Sequence, residues 1–108
     1  MVPSKLIATM PKQQQREIKR GRWRYAGEIP KGVIIHAINY DYWYELEKSD
    51  GLDMMGEVPE LNEQGEMYLI AWMNSAFTKQ ESFTVGLLTL TATMDLASSI
   101  VQQPIEWL

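Results

Sequence analysis

Three groups of side chains in this chain have the types and spacing to do chemistry. The first is His36, the sole histidine and so the one side chain whose ordinary pKa lies near neutrality. It stands in the apolar run Val33-Ile34-Ile35-His36-Ala37-Ile38, which reads as a histidine held in a core rather than as a general base. A nucleophilic serine would need it together with an acid, and no G-x-S-x-G turn exists to present that serine. A single histidine rules out a two-histidine zinc helix. The absence of cysteine rules out thiolate zinc sites, disulfides and thiol catalysis. Neither a P-loop nor a dinucleotide fingerprint is present. No catalytic residue, metal site or cofactor is expected, and the balance is against an enzyme.

The second group is the carboxylates of residues 41–66. They are so numerous that glycosidase-like pairs can be drawn in many ways, and no pair stands out. Asp50, Asp53 and Glu57 miss the alternate spacing of an EF-hand calcium loop, so a solvated acidic loop is expected. The third group is aromatic. The run Arg20-Gly21-Arg22-Trp23-Arg24-Tyr25 interleaves guanidiniums, which contact phosphates, with rings that stack on bases. One expectation is therefore nucleic-acid binding through residues 12–25, with Arg20, Arg22, Trp23 and Arg24 as contacts. The plainer alternative puts Trp23 and Tyr25 in the core and turns the arginines to water or to the acidic stretch. Trp23, Tyr40, Tyr42, Trp43, Tyr68 and Trp72 could also line an aromatic cleft. Its pocket residues would be Trp23, Tyr68 and Trp72, and it would take an organic cation through the ring quadrupoles, or an apolar ligand.

Positioning any of these groups requires a fold. The 108 residues are 45% hydrophobic and 22% charged, an ordinary globular composition that fits a single domain over residues 1–108. Residues 1–12 contain no apolar run long enough for a signal peptide. Residues 82–101 come nearest to a membrane span but carry Asp95 and much Thr and Ser, and a central charge in a span costs about 2.5–3.5 kcal/mol. With no cysteine, a soluble cytoplasmic protein that does not enter a membrane is expected.

Charge is split along the chain. Residues 1–36 hold eight Lys/Arg and two Glu, a net +6, whereas residues 37–108 hold two Lys and twelve acids, a net −10. Such an acidic remainder repels a polyanion. The leading explanation is that the basic stretch 12–24 pairs with the acidic stretch 41–66, within one molecule or between two copies.

The elements follow from periodicity. Residues 5–10 read as a short strand or the start of a helix between Pro3 and Pro11. Residues 16–26 alternate, with Ile18, Arg20, Arg22 and Arg24 on one face and Lys19, Gly21, Trp23 and Tyr25 on the other. Residues 27–32 supply a hairpin loop. Residues 33–46, rich in β-branched and aromatic side chains, read as one long strand with Tyr40, Tyr42 and Tyr44 in a row. A long acidic loop over 47–65 follows, with Met54-Met55 as an apolar anchor. Residues 66–74 form a strand apolar on both faces, with 82–88 as its partner. Residues 90–102 form an amphipathic helix, N-capped by Thr89 and stopped by Pro104, with Leu90, Met94, Leu96, Ala97, Ile100 and Val101 on its apolar side. The tail 104–108 suits an edge strand or a lid.

The fold class is α+β, an antiparallel sheet of about four strands with one main C-terminal helix packed on one face. One helix covers one face, yet residues 33–38 and 67–73 are apolar on both. Leaving about five large apolar side chains wet forfeits on the order of 10 kcal/mol, the size of a whole domain's stability. A covering second copy or another protein is therefore expected. The leading function is a non-enzymatic interaction module acting through homo-oligomerisation or protein-partner binding, with Tyr40, Tyr42, Trp43 and Tyr44 as its contact surface.

Overall fold

The computed structural model describes residues 13–51 and 55–108. Strands β1 (Gln15–Tyr25) and β2 (Ile29–Ile38) form the expected hairpin. Its turn places Ala26 and Gly27 at φ 53° and 73°, the left-handed conformations that tight hairpins use. After β2 come helix α1 (Tyr42–Ser49), strands β3 (Met67–Asn74) and β4 (Gln80–Val85), helix α2 (Leu90–Val101) and strand β5 (Glu106–Trp107). The sheet is five-stranded and antiparallel, in the order β4-β3-β2-β1-β5. This is the α+β architecture expected, with the tail docked as an edge strand beside Gly21 and Arg22 of β1. The readings of residues 5–10 and of Met54 lie outside the described residues; Met55 stands exposed.

One element differs in kind. The long strand over 33–46 ends at Ile38, and its aromatic half is helical. Asp41 is the reason: its carboxylate accepts from the Tyr44 N–H at 3.2 Å, capping α1, and from the Glu60 N–H at 2.9 Å. Glu45 in the first turn and Lys48 in the last complement the helix dipole. Helix α2 has the expected cap, with Thr89 Oγ1 accepting from the Ala92 N–H. Within it Thr93 is fully buried, and its hydroxyl is satisfied on both sides, donating to the Thr89 carbonyl and accepting from the Leu87 N–H.

Both faces of the central strands are covered. On one, α2 and the tail bring Ala97 and Ile105 onto Val33, Ile70 and Trp72, with Trp23, Leu96, Val101 and Trp107 around them. Gly21 makes this possible, because a Cβ there would lie 2.6 Å from Ile105 Cγ2. On the other face Phe77 packs on Ile34, Ala71 and Met73. Further along, Tyr40, Tyr42, Leu61, Val85 and Leu88 pack on Ile38, Met67 and Leu69. Of residues 67–73 only Tyr68 is less than buried. The expected deficit of cover over this strand therefore does not arise, because loop residues such as Phe77 and Leu61 supply what one helix does not. The argument for a second molecule from an uncovered sheet face falls with it.

Among the described residues, ion pairing only partly joins the basic and acidic stretches. Arg16–Glu66, at 2.8 Å, links them; Arg20–Glu17 lies within the basic stretch, and Lys31–Glu81 ties β2 to β4. Among the described residues no helix is long and apolar enough to cross a membrane.

Candidate functional site

The aromatic set of α1 is dispersed by its helical geometry. Tyr40, before the helix, packs inward on the Ile38 cluster. Tyr42 also points inward, its ring edge-on to Phe83 at 5.5 Å and to Trp43 at 5.2 Å. Tyr44 is half-buried beneath the Lys48 ammonium, 6.0 Å from its ring centroid. Trp43 alone of the four is exposed, at 55%, and Leu46 one turn on is exposed with it. Asp41, by holding Glu60 as well as the helix, brings the segment 57–60 alongside α1. A groove of about 380 Å³ runs between them, lined by Trp43, Tyr44, Glu47, Glu57, Val58 and Glu60 together with Asp41. Leu46, Glu57, Val58 and Glu60 were not among the expected contacts. The signal that could have found Leu46 is Asp41, an N-cap residue type, with Glu45 in the first turn that follows it, whereas the segment 57–60 carries no such signal.

In the basic–aromatic segment the Trp23 ring and the arginines separate. Trp23 joins the core on the α2 face, whereas Arg20 and Arg22 lie on the opposite face with their guanidiniums over Phe77, at 5.0 and 5.4 Å from its centroid. Arg20 is also held by Glu17. The strand thus sets the Trp23 ring and these two arginines on opposite faces. Lys12, at the start of that segment, lies outside the described residues.

Two of the three pocket residues come together. Trp23 and Trp72 meet edge to face at 5.9 Å in the wall of a cleft of about 680 Å³, between the β1–β2 hairpin and the C-terminal end of α2. Tyr25, Ile29, Ile100 and Val101 add apolar wall, and Lys31, Glu81, Ser82 and Gln103 the polar part. Tyr68 is not among them. It sits at the other end of the same face, in the row of Ala37 and Arg16. Ile100, expected on the buried side of α2, is 44% exposed at the cleft. The Trp72 indole N–H donates to Thr84 Oγ1 at 2.9 Å, while the Trp23 indole N–H is buried with no acceptor among the described residues.

His36 is half-buried in β2. Burial lowers its pKa below the ordinary histidine value, and the charge of Glu17, its register partner in β1, offsets this in part. Its Nδ1 is buried without a partner among the described residues. Also among the described residues, no three His, Cys, Asp or Glu side chains are grouped to hold a metal ion.

No family model matches the chain, and neither a curated protein nor a solved structure is significantly similar to it.

Proposed function

We propose that this chain is a protein-interaction module whose contact element is α1. The observation that carries the reading is an eight-residue helix with no buried residue that nevertheless exposes Trp43. So short a helix is marginal in water on its own and is held here by the Asp41 cap and the inward ring of Tyr42. Tryptophan is the side chain most enriched at the energetic centres of protein interfaces, and Leu46 beside it extends the apolar patch.

Charge points to the chemistry of the partner. Glu47, Glu57 and Glu60 line the groove beside Trp43, Glu45 lies by Leu46 and Asp50 ends the helix, and none of them has an ion pair among the described residues. A partner surface with an apolar pocket for Trp43 and a basic rim fits this arrangement. The same arrangement disfavours nucleic acid, as does the separation of Trp23 from the arginines.

The test is a photo-crosslinking amino acid placed at position 43 of the full chain in its native cells, with position 95, on the exposed side of α2, as the control. A discrete crosslinked species from position 43 alone, abolished by Leu46→Glu, is expected. Repeating it with the purified chain distinguishes a second copy from another protein. Equal labelling from both positions, or no discrete product from position 43, sinks the reading.

A further inference from the structure

We propose that the cleft walled by Trp23 and Trp72 binds an uncharged, largely apolar small molecule containing an aromatic or similarly flat ring. The inference is independent of the role given to α1, which lies away from this cleft.

Its size of about 680 Å³ falls in the range of small-molecule sites, which are mainly apolar with few polar groups. The rim keeps large apolar side chains in water on both sides, Tyr25 at 57% and Ile29 at 51% on the hairpin and Ile100 on α2. A ligand seated between them would remove that surface from solvent.

The charged groups of the cleft define the class of ligand, because they already neutralise each other, which leaves the buried Trp23 indole N–H as a neutral donor without an acceptor among the described residues. Lys31 Nζ lies 2.9 Å from both carboxylate oxygens of Glu81, so the one cation and the one anion of the lining cancel. The Gln103 side chain accepts from the Arg24 N–H at 3.1 Å and donates to the Arg24 carbonyl at 2.8 Å. The Trp72 N–H is engaged by Thr84. A charged ligand would lose water and find no free counter-charge unless it broke the Lys31–Glu81 pair. A neutral ring meets mainly the rings of Trp23 and Trp72 and the aliphatic carbons of Ile29, Ile100 and Val101. Gln103 also ties the end of α2 to β1, so the opposing walls are fixed before a ligand arrives, which lowers the cost of binding.

The experiment titrates the full-length chain with 2-naphthol, 2-naphthoate and 2-naphthylmethylammonium, one ring system in neutral, anionic and cationic form. It follows the tryptophan indole N–H signals by NMR. Trp23 and Trp72 should shift saturably and Trp43 should not, with the neutral probe binding at least about tenfold more tightly than either ion. Ile100→Glu should weaken 2-naphthol by about tenfold or more while the spectrum stays dispersed. Should that variant fail to fold, Ile100→Ala should weaken it by a smaller factor. The proposal is overturned if an ion binds as tightly as the neutral probe, or if no probe shifts Trp23 and Trp72 saturably.

Discussion

Glu17 and Arg20 share one face of β1 although they are three positions apart, and Arg20 donates from Nε and Nη2 to the two carboxylate oxygens at 2.6 and 3.0 Å. In a regular strand such a pair would point to opposite faces. The register shift between Glu17 and Lys19 inserts Ile18 as an extra residue and brings the two onto the same side. The hydrogen bond from Arg20 holds the Glu17 carboxyl below its ordinary value. Glu17 in turn stands opposite His36, so the bulge links three ionisable groups on one face.

This linkage gives a pH prediction. The folded-state pKa of His36 is lowered from 6.5, chiefly by burial, so the unfolded chain binds more protons than the folded one. The stability contributed by neutral His36 is therefore complete above pH 6.5 and is lost as the pH falls through the folded-state value. Urea midpoints should drop between about pH 7.5 and about pH 5.5, and His36→Gln should flatten that slope. Glu17→Gln removes the charge that raises His36, so an NMR titration of the imidazole should show its pKa falling further. A rise would contradict the assignment.

Gly32 is fixed by Phe77. A Cβ at Gly32 would lie 2.6 Å from Phe77 Cε1 and 2.9 Å from the Asn74 carbonyl oxygen. Phe77 itself has φ 58°, costly for so bulky a residue. Its loop is held by Asn74 Oδ1, which accepts from the Thr78 and Lys79 N–H groups. Gly32→Ala should cost about 1–3 kcal/mol in urea unfolding. In a Phe77→Ala background the added cost should shrink but not vanish, because the Asn74 carbonyl remains in place. Full additivity would show that the ring is not what the alanine meets.

How far the sequence revealed this fold varies by element. The two faces of β3, Met67-Leu69-Ala71-Met73 against Tyr68-Ile70-Trp72, are plain from alternation, and α2 is plain from its period, Thr89 and Pro104. Over residues 39–46 alternation and aromatic β-propensity agree on a strand, and a single cap at Asp41 overrides them. The Ile18 bulge leaves no compositional trace. Helical period assigns Ile100 to the core, yet the last turn of α2 stands over the cleft. The tie between Gln103 and Arg24 spans 79 residues, and cover by Phe77 and Leu61 comes from loops without period. For the candidate site, the sequence named Trp43, Trp23 and Trp72, but it could not show that Trp43 stands alone in solvent or that Tyr68 lies elsewhere.

The cap and the contact on α1 should separate cleanly. Asp41→Ala removes the acceptor of both the Tyr44 and the Glu60 N–H groups and should cost about 0.5–2 kcal/mol of stability. Trp43→Ala, at an exposed position, should change stability by no more than about 0.5 kcal/mol while lowering partner affinity by about tenfold or more. Thermal unfolding beside a binding titration checks both. A Trp43→Ala variant that unfolds like Asp41→Ala would make Trp43 a packing residue rather than a contact.

Trp72 and Trp23 meet in the same wall but differ in what their indole N–H groups do. Trp72 donates to Thr84 Oγ1 across to β4, whereas the Trp23 N–H has no acceptor among the described residues. Trp72→Phe removes a made bond and leaves the Thr84 hydroxyl unpaired; Trp23→Phe removes a donor whose burial is itself unfavourable by about 1–3 kcal/mol. Trp72→Phe should therefore be the more destabilising of the two. Ring burial also differs between the sites, so the comparison needs a cycle. Combining each with Thr84→Val should show coupling of about 1 kcal/mol for Trp72 and almost none for Trp23. Equal coupling at both positions would mean that the Trp72–Thr84 bond does not hold β4 to β3.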